Sequence, residues 1–336
     1  MDILTQGLLG GVLAQSAAKK DETKLATFIG VIAGLLADAD IFIYSSNDPL
    51  LNIEFHRHFT HSLFFIPFGA AIATVLLWPF LKKRISIKRI YLYSLLGYSM
   101  SGVLDACTSY GTHLLWPFTD ERIAFNIISI IDPVFTLCLF VTLLYGLRVK
   151  RQRIAHVGLL LAASYLLLGY VQLQRAASLA DNLITSRGHE VSKRLVKPTL
   201  ANILLYRSVY VYKDRIYVDA IRLGIFSESK LFPGESVEKL SIDNHFPDLE
   251  KTSVLYHDIQ RFKLFSDNYA AINPAQKNII GDIRYSMLPT SINPLWGIVI
   301  DKEEPEKHAD YQFFRDSSQQ IRQKFLKMLM GTGGEN

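Results

Sequence analysis

The chain has 336 residues, 49% of them hydrophobic, and a formal net charge of +5. Its basic residues cluster in short loops and no basic, aromatic groove stands out, so the charge makes no case for nucleic acid as a partner. The two cysteines, Cys107 and Cys138, have neither disulfide-framework nor zinc-knuckle spacing and read as packing residues.

Nearly all of the hydrophobic excess precedes residue 173. Crossing a hydrocarbon core takes about 20 mostly apolar residues. Such runs stand at 3–18, 25–44, 62–81, 90–110, 127–147 and 154–173, which predicts about six spans. The first run has Lys19 and Lys20 after it, no basic segment before it and no convincing cleavage site, so it reads as a retained helix, not a signal peptide. Lys and Arg in short loops favour the cytoplasm. Lys19, Lys20 and Lys24, then Lys82, Lys83, Arg84, Lys88 and Arg89, then Arg148, Lys150, Arg151 and Arg153 alternate with loops at 45–61 and 111–126 that carry only Arg57 and Arg122. The expected topology puts the three basic loops inside and both ends of the chain outside.

From about residue 174 the composition is that of a soluble domain. The β-rich runs 209–212 and 215–221 around Lys213-Asp214 predict a hairpin, 279–287 and 295–301 a second strand pair, and 315–330 a terminal helix. The expected fold is therefore an α-helical polytopic membrane domain over 1–173, followed by an extracytoplasmic α+β domain over 174–336 that is long enough for its own core.

On this topology the polar residues of the spans share the outer face. Asp38 and Asp40 close the second run; His56, Arg57, His58, Thr60 and His61 precede the third; Asp105 and Thr108 close the fourth; Asp132 opens the fifth. Asp2, Thr5 and Gln6 join the same layer. Ionisable residues in or beside spans are costly, which makes such a layer a functional-site hypothesis. Aspartate oxygens with imidazole nitrogens suit Zn²⁺, Mn²⁺ or Fe²⁺, with Zn²⁺ favoured, and the lack of thiolates argues against a structural zinc site. Asp38, Asp40, His56, His61 and Asp105 are the candidate metal ligands; a catalytic centre also needs an open position for water, whose pKa the ion lowers.

On continuous helix Asp38 and Asp40 would point about 200° apart, and His56 and His61 about 140° apart. At least one of each pair must lie on irregular backbone if both bind. His58 and His61, three apart, would share a helical face and form a rival pair. Asp132-Pro133 also suits a plain helix start. His189, His245, His257 and His308 follow no ligand spacing and read as ordinary residues.

These motifs resemble the YdjM/YfhP-like family of bacterial inner-membrane proteins, described as metal-dependent hydrolases. The matching stretches are Met1-Asp2-Ile3-Leu4-Thr5-Gln6, Ala37-Asp38-Ala39-Asp40, His56-Arg57-His58-Phe59-Thr60-His61-Ser62 and Leu104-Asp105-Ala106-Cys107-Thr108-Ser109-Tyr110-Gly111-Thr112, continuing into Leu115-Trp116-Pro117-Phe118 and Ile131-Asp132-Pro133. The resemblance covers residues 1 to about 147, with a weaker match over 202–217. Family members often have a histidine near the position of Gln6 and another where Ser101 stands here. They usually have glycine at position 58, so the resemblance does not imply His58 as a ligand. It does imply a hydrolase in the bacterial inner membrane, without a defined substrate.

The expected function is a membrane-bound metal-dependent hydrolase acting at the extracytoplasmic interface, with membrane lipids as partners and phosphoester lipids or lipid-linked molecules as substrates. Arg57 would neutralise developing negative charge. Asp40 or Asp105 would serve as ligand or general base, and Thr60 and Thr108 would position hydrogen bonds; Asp2 and Asp132 are supporting residues. The alternative is a non-enzymatic membrane protein with a structural ion and a partner-binding outer domain. A small ion transporter is disfavoured by the lack of polar residues through the inner half of the spans.

Overall fold

The computed structural model describes residues 1–45, 47–191, 193–224 and 228–332. The N-terminal region is helical: α1 (Ile3–Ser16), α2 (Thr23–Leu36) running into a 3₁₀ segment (Ala37–Phe42), α3 (Leu51–Phe55), one 3₁₀ turn (Phe59–His61), α4 (Ile66–Leu81), α5 (Ile87–Ser99), α6 (Ser101–Ala106), α7 (Pro133–Val149) and α8 (Gln152–Ser186). Asp2 starts α1 by accepting from the Thr5 amide. Asp132 starts α7 by accepting from the amides of Val134 and Phe135, with Pro133 in the first turn where it has no amide hydrogen to waste.

The expected six spans are not supported. Among the described residues, two helices are long and apolar enough to cross a membrane, Thr23–Phe42 and Gln152–Ser186; a third crossing counts only if Leu51–His61 and Ile66–Leu81, bent by 91° at their break, form one span. α1, α5 and α7 have 14, 13 and 17 residues. At a rise of ~1.5 Å per residue they reach about 20–26 Å, short of a hydrocarbon core of about 30 Å. The apolar runs overstate the helices because they include turns. The run 90–110 breaks at Met100 between α5 and α6, and the run 127–147 becomes helical only at Pro133.

The chain folds as two compact units. The first comprises Met1–Ile43, Phe55–Val171 and Leu200–Asn202. Within it α1, α2 and α5 meet backbone to backbone: a Cβ added at Gly10 or at Gly97 would collide with the Gly30 carbonyl. Leu8, Val12, Leu104, Phe135 and Leu139 form a buried core beside that contact. Large apolar side chains on α4, α7 and α8, including Phe80, Leu137, Leu160 and Leu167, face outward, as suits a lipid-facing surface.

The second unit comprises Tyr44–Glu54, Gln172–Thr199 and Ile203–Asn336. It holds two four-stranded antiparallel sheets. One runs in the order β1 (Lys193–Pro198), β2 (Leu205–Tyr212), β3 (Arg215–Arg222), β4 (Lys230–Glu238); the other β5 (Ala270–Ile272), β6 (Ile279–Asp282), β7 (Trp296–Val299), β8 (Asp310–Phe313). The helices are α9 (Ile242–His245), α10 (Val254–Phe265) and α11 (Gln319–Met330). The expected hairpin is β2–β3, with Tyr212 opposite Arg215 and Lys213 at positive φ in the turn. The expected strand pair is β6–β7 and the terminal helix is α11. Tyr44–Glu54 interrupts the first unit in sequence but belongs here: Leu50 and Ile53 are buried with Leu255, Ile259, Phe262 and Ile298.

Candidate metal centre

The 3₁₀ winding of Ala37–Phe42 turns about 120° per residue and sets Asp38 and Asp40 against opposite nitrogens of one imidazole. His61 Nε2 lies 3.3 Å from Asp38 Oδ1 and 3.1 Å from Asp105 Oδ2, while its Nδ1 lies 3.3 Å from Asp40 Oδ2 and 3.0 Å from Thr60 Oγ1. Thr60 donates its one hydroxyl proton to Asp40 Oδ2 at 2.8 Å, so toward His61 it accepts. That assigns a proton to Nδ1 and leaves the Nε2 lone pair facing two carboxylates. One ligand atom each from Asp38, His61 and Asp105 lie within 4.8 Å of one another.

The local backbone is bent to make this convergence. Arg57 sits at φ 60°, its amide donating to Asp40 Oδ2 at 2.8 Å and its carbonyl accepting from Thr112 Oγ1 at 2.9 Å and the His113 amide at 3.2 Å. Its guanidinium therefore turns inward, with Nε 3.3 Å from Asp105 Oδ2 and Nη2 donating to the Met1 carbonyl. The Met1 amine ion-pairs with Asp105 Oδ1. On α6, a Cβ at Gly102 would collide with the His61 carbonyl, so the glycine lets α6 press on the 59–61 turn and deliver Asp105 one turn later. Tyr98 holds the same turn by donating to the Thr60 carbonyl at 2.7 Å.

Of the five expected ligands, the structure brings together Asp38, His61 and Asp105. Asp40 stands outside the convergence: both its oxygens are taken, by His56 Nδ1 at 3.0 Å, the Arg57 amide and Thr60, and it orients His61 from behind. His56 reaches only Asp40 and not the converging atoms. Thr60 links Asp40 to His61, whereas Thr108 donates to the Asp105 carbonyl at 2.8 Å and closes α6. Asp2 and Asp132 are helix caps, and Asp132 also accepts from the Tyr165 hydroxyl. The rival pair does not form: His58 faces away from His61 to stack on His113, ring centroids 4.3 Å apart. Gln6 donates to the Ser101 carbonyl at 3.3 Å, so the two positions where the family often has histidine lie side by side. Tyr98 and Gly102 lie outside the expected site residues, Gly102 marked only as a glycine within an apolar run, and Thr112 entered only as the end of a family stretch.

The donor set fits a divalent cation. His61 Nε2 and both Asp105 oxygens are buried without a hydrogen bond, while the charge of Asp105 is met by the Met1 amine and the Arg57 guanidinium. An aspartate–imidazole–metal line, with Asp40 behind His61, is the usual way a ligating histidine is oriented. Arg57 Nη1 is likewise buried without a hydrogen bond.

No curated protein matches the chain, and no solved structure does. A family model described as YdjM inner membrane protein matches residues 1–176. The match takes in more than half of the sequence, from the cap at Asp2 through the whole Asp38, His61 and Asp105 set to the apolar half of α8. By that extent the chain belongs to the YdjM inner membrane protein family.

Proposed function

We propose that the protein is a multi-pass metal-dependent hydrolase of the inner membrane, acting at the extracytoplasmic interface on phosphoester lipids or lipid-linked substrates. Asp38, His61 and Asp105 would hold the ion, with Zn²⁺ the first choice for two carboxylates and an imidazole. The observation that carries this reading is His61, whose Nδ1 is committed to Thr60 and Asp40 while its bare Nε2 faces two carboxylates. A bound divalent ion supplies Lewis acidity and makes water acidic near neutral pH. The chain's own residues do the rest: Asp40 fixes the tautomer of His61, and Arg57 offers Nη1 to negative charge developing on a phosphoryl group.

Loop charge supports the sidedness. α1 and α7 begin side by side at the polar layer, with the Asp2 amide donating to the Ile130 carbonyl and Thr5 hydrogen-bonded to Thr136. They end at Lys19 and Lys20 and at Arg148 and Lys150, the end the cytoplasm favours. α8 starts at that basic end, and its 35 residues extend about 50 Å, longer than a hydrocarbon core of about 30 Å.

The test is a metal analysis of full-length protein in detergent followed by a hydrolysis screen across lipid classes, with His61→Ala as control. One equivalent of metal, and turnover, that are both lost in His61→Ala are expected; a protein free of metal would overturn the reading. The second reading, a structural ion in a non-enzymatic protein, draws on burial, since the His61 and Asp105 side chains have no exposed surface. Metal present without turnover of any lipid class would favour it.

A further inference from the structure

His58 and His113 meet outside the centre described above. Their rings lie 4.3 Å apart, and one ligand atom each from His58, His113 and Asp120 lie within 4.8 Å of one another. Among the described residues, Nδ1 of His58 and Nδ1 of His113 are both buried without a hydrogen bond. Two imidazole nitrogens shut away from water and unpaired, side by side, cost more than the contact between the rings returns.

We propose that His58, His113 and Asp120 form a second divalent-metal site, for a zinc-class ion bound by two imidazoles and one carboxylate with a fourth position left for water. The backbone holds the two histidines ready. Thr112 Oγ1 and the His113 amide both donate to the Arg57 carbonyl, which staples the strands of chain one residue from each ring. Thr112 and Ile123 pair through both of their backbone bonds, closing the loop that returns Asp120 toward His113. Phe55 and Trp116, with ring centroids 5.6 and 6.0 Å from His58, wall the imidazoles with apolar surface. The Arg122 guanidinium lies over the Tyr110 ring and donates to the His56 carbonyl. An ion here would tie the loop after α3 to the loop after α6.

The experiment is zinc titration of full-length protein in detergent against a competing chelator. Wild type should hold two ions and Asp105→Asn one. Adding His113→Ala to Asp105→Asn should weaken the remaining ion by more than about 100-fold, beyond the 10–100-fold typical of an outer-shell change. Asp120→Asn and His58→Gly should each weaken it too, and thermal melts in EDTA should not move. A folded Asp105→Asn protein that binds no zinc overturns the proposal, as does binding that survives His58→Gly with His113→Ala. One ion lost with His113→Ala but kept in Asp105→Asn would sink the central site and leave this one standing.

Discussion

Each of the two units holds a cluster of two aspartates and one histidine whose ligand atoms lie within 4.8 Å of one another: Asp38, Asp105 and His61 in the first, Asp48, Asp258 and His308 in the second. They differ in what answers the negative charge. In the second unit Arg261 does so completely, donating to both oxygens of Asp48, both of Glu54 and Oδ1 of Asp258 at 2.7–3.1 Å, while Asp258 Oδ2 accepts from His308 and the Ala309 amide. In the first unit Arg57 and the Met1 amine approach Asp105, yet neither of its oxygens nor His61 Nε2 has a hydrogen bond. Donor identity and convergence are the same in both, so they do not by themselves mark a metal centre. They differ in satisfaction: the second cluster is a finished ion-pair network, while in the first His61 Nε2 and both Asp105 oxygens are buried without a hydrogen bond.

Substitutions can break this contrast. The largest effect expected is from Asp105→Asn or His61→Ala, which should abolish stoichiometric metal at the central site, while Asp258→Asn leaves metal content unchanged by elemental analysis. Metal lost from Asp258→Asn instead would erase the distinction. Asp40→Asn keeps the three ligands and removes the carboxylate behind His61; zinc affinity should fall about 10–100-fold, read by chelator competition. Arg261→Ala should act on stability alone, lowering it by about 2–3 kcal/mol in chemical denaturation, because three carboxylates lose a shared cation that is itself partly exposed.

The smallest effect is a pH dependence. Burial pushes the Asp48 carboxyl up, but the hydrogen bonds and charge of Arg261 outweigh it and hold the group below its usual range. A carboxyl whose folded pKa is depressed stabilises the fold above its unfolded pKa of about 3.9 and loses that contribution as pH falls through the folded value. Melting of the second unit should therefore drop below about pH 4, more steeply in wild type than in Arg261→Ala, where the linkage is gone. Equal slopes would show that Arg261 does not set the charge of Asp48.

Much of this was readable in the sequence, by identifiable signals. The β2–β3 hairpin followed from alternating residues around Lys213-Asp214, and the apolar belt from residue counts. The polar layer was visible because Asp38, His61 and Asp105 each sit where an apolar run ends. The span count was not readable, since composition does not see the turn at Met100 or the irregular stretch before Pro133. Nor was the division of labour between Asp38 and Asp40. It depends on 3₁₀ winding and on Arg57 at positive φ, and no local residue pattern announces either. The neutralisation of Asp48 was hidden for another reason: its partner Arg261 lies more than 200 residues downstream.

The borrowed segment Tyr44–Glu54 also sets a timetable for synthesis. Leu50 and Ile53 leave the ribosome early, yet the core they complete includes Ile298, roughly 250 residues later, an interval on the order of 10–50 s at bacterial elongation rates. Throughout that wait Leu50 and Ile53 lack most of the core they pack into.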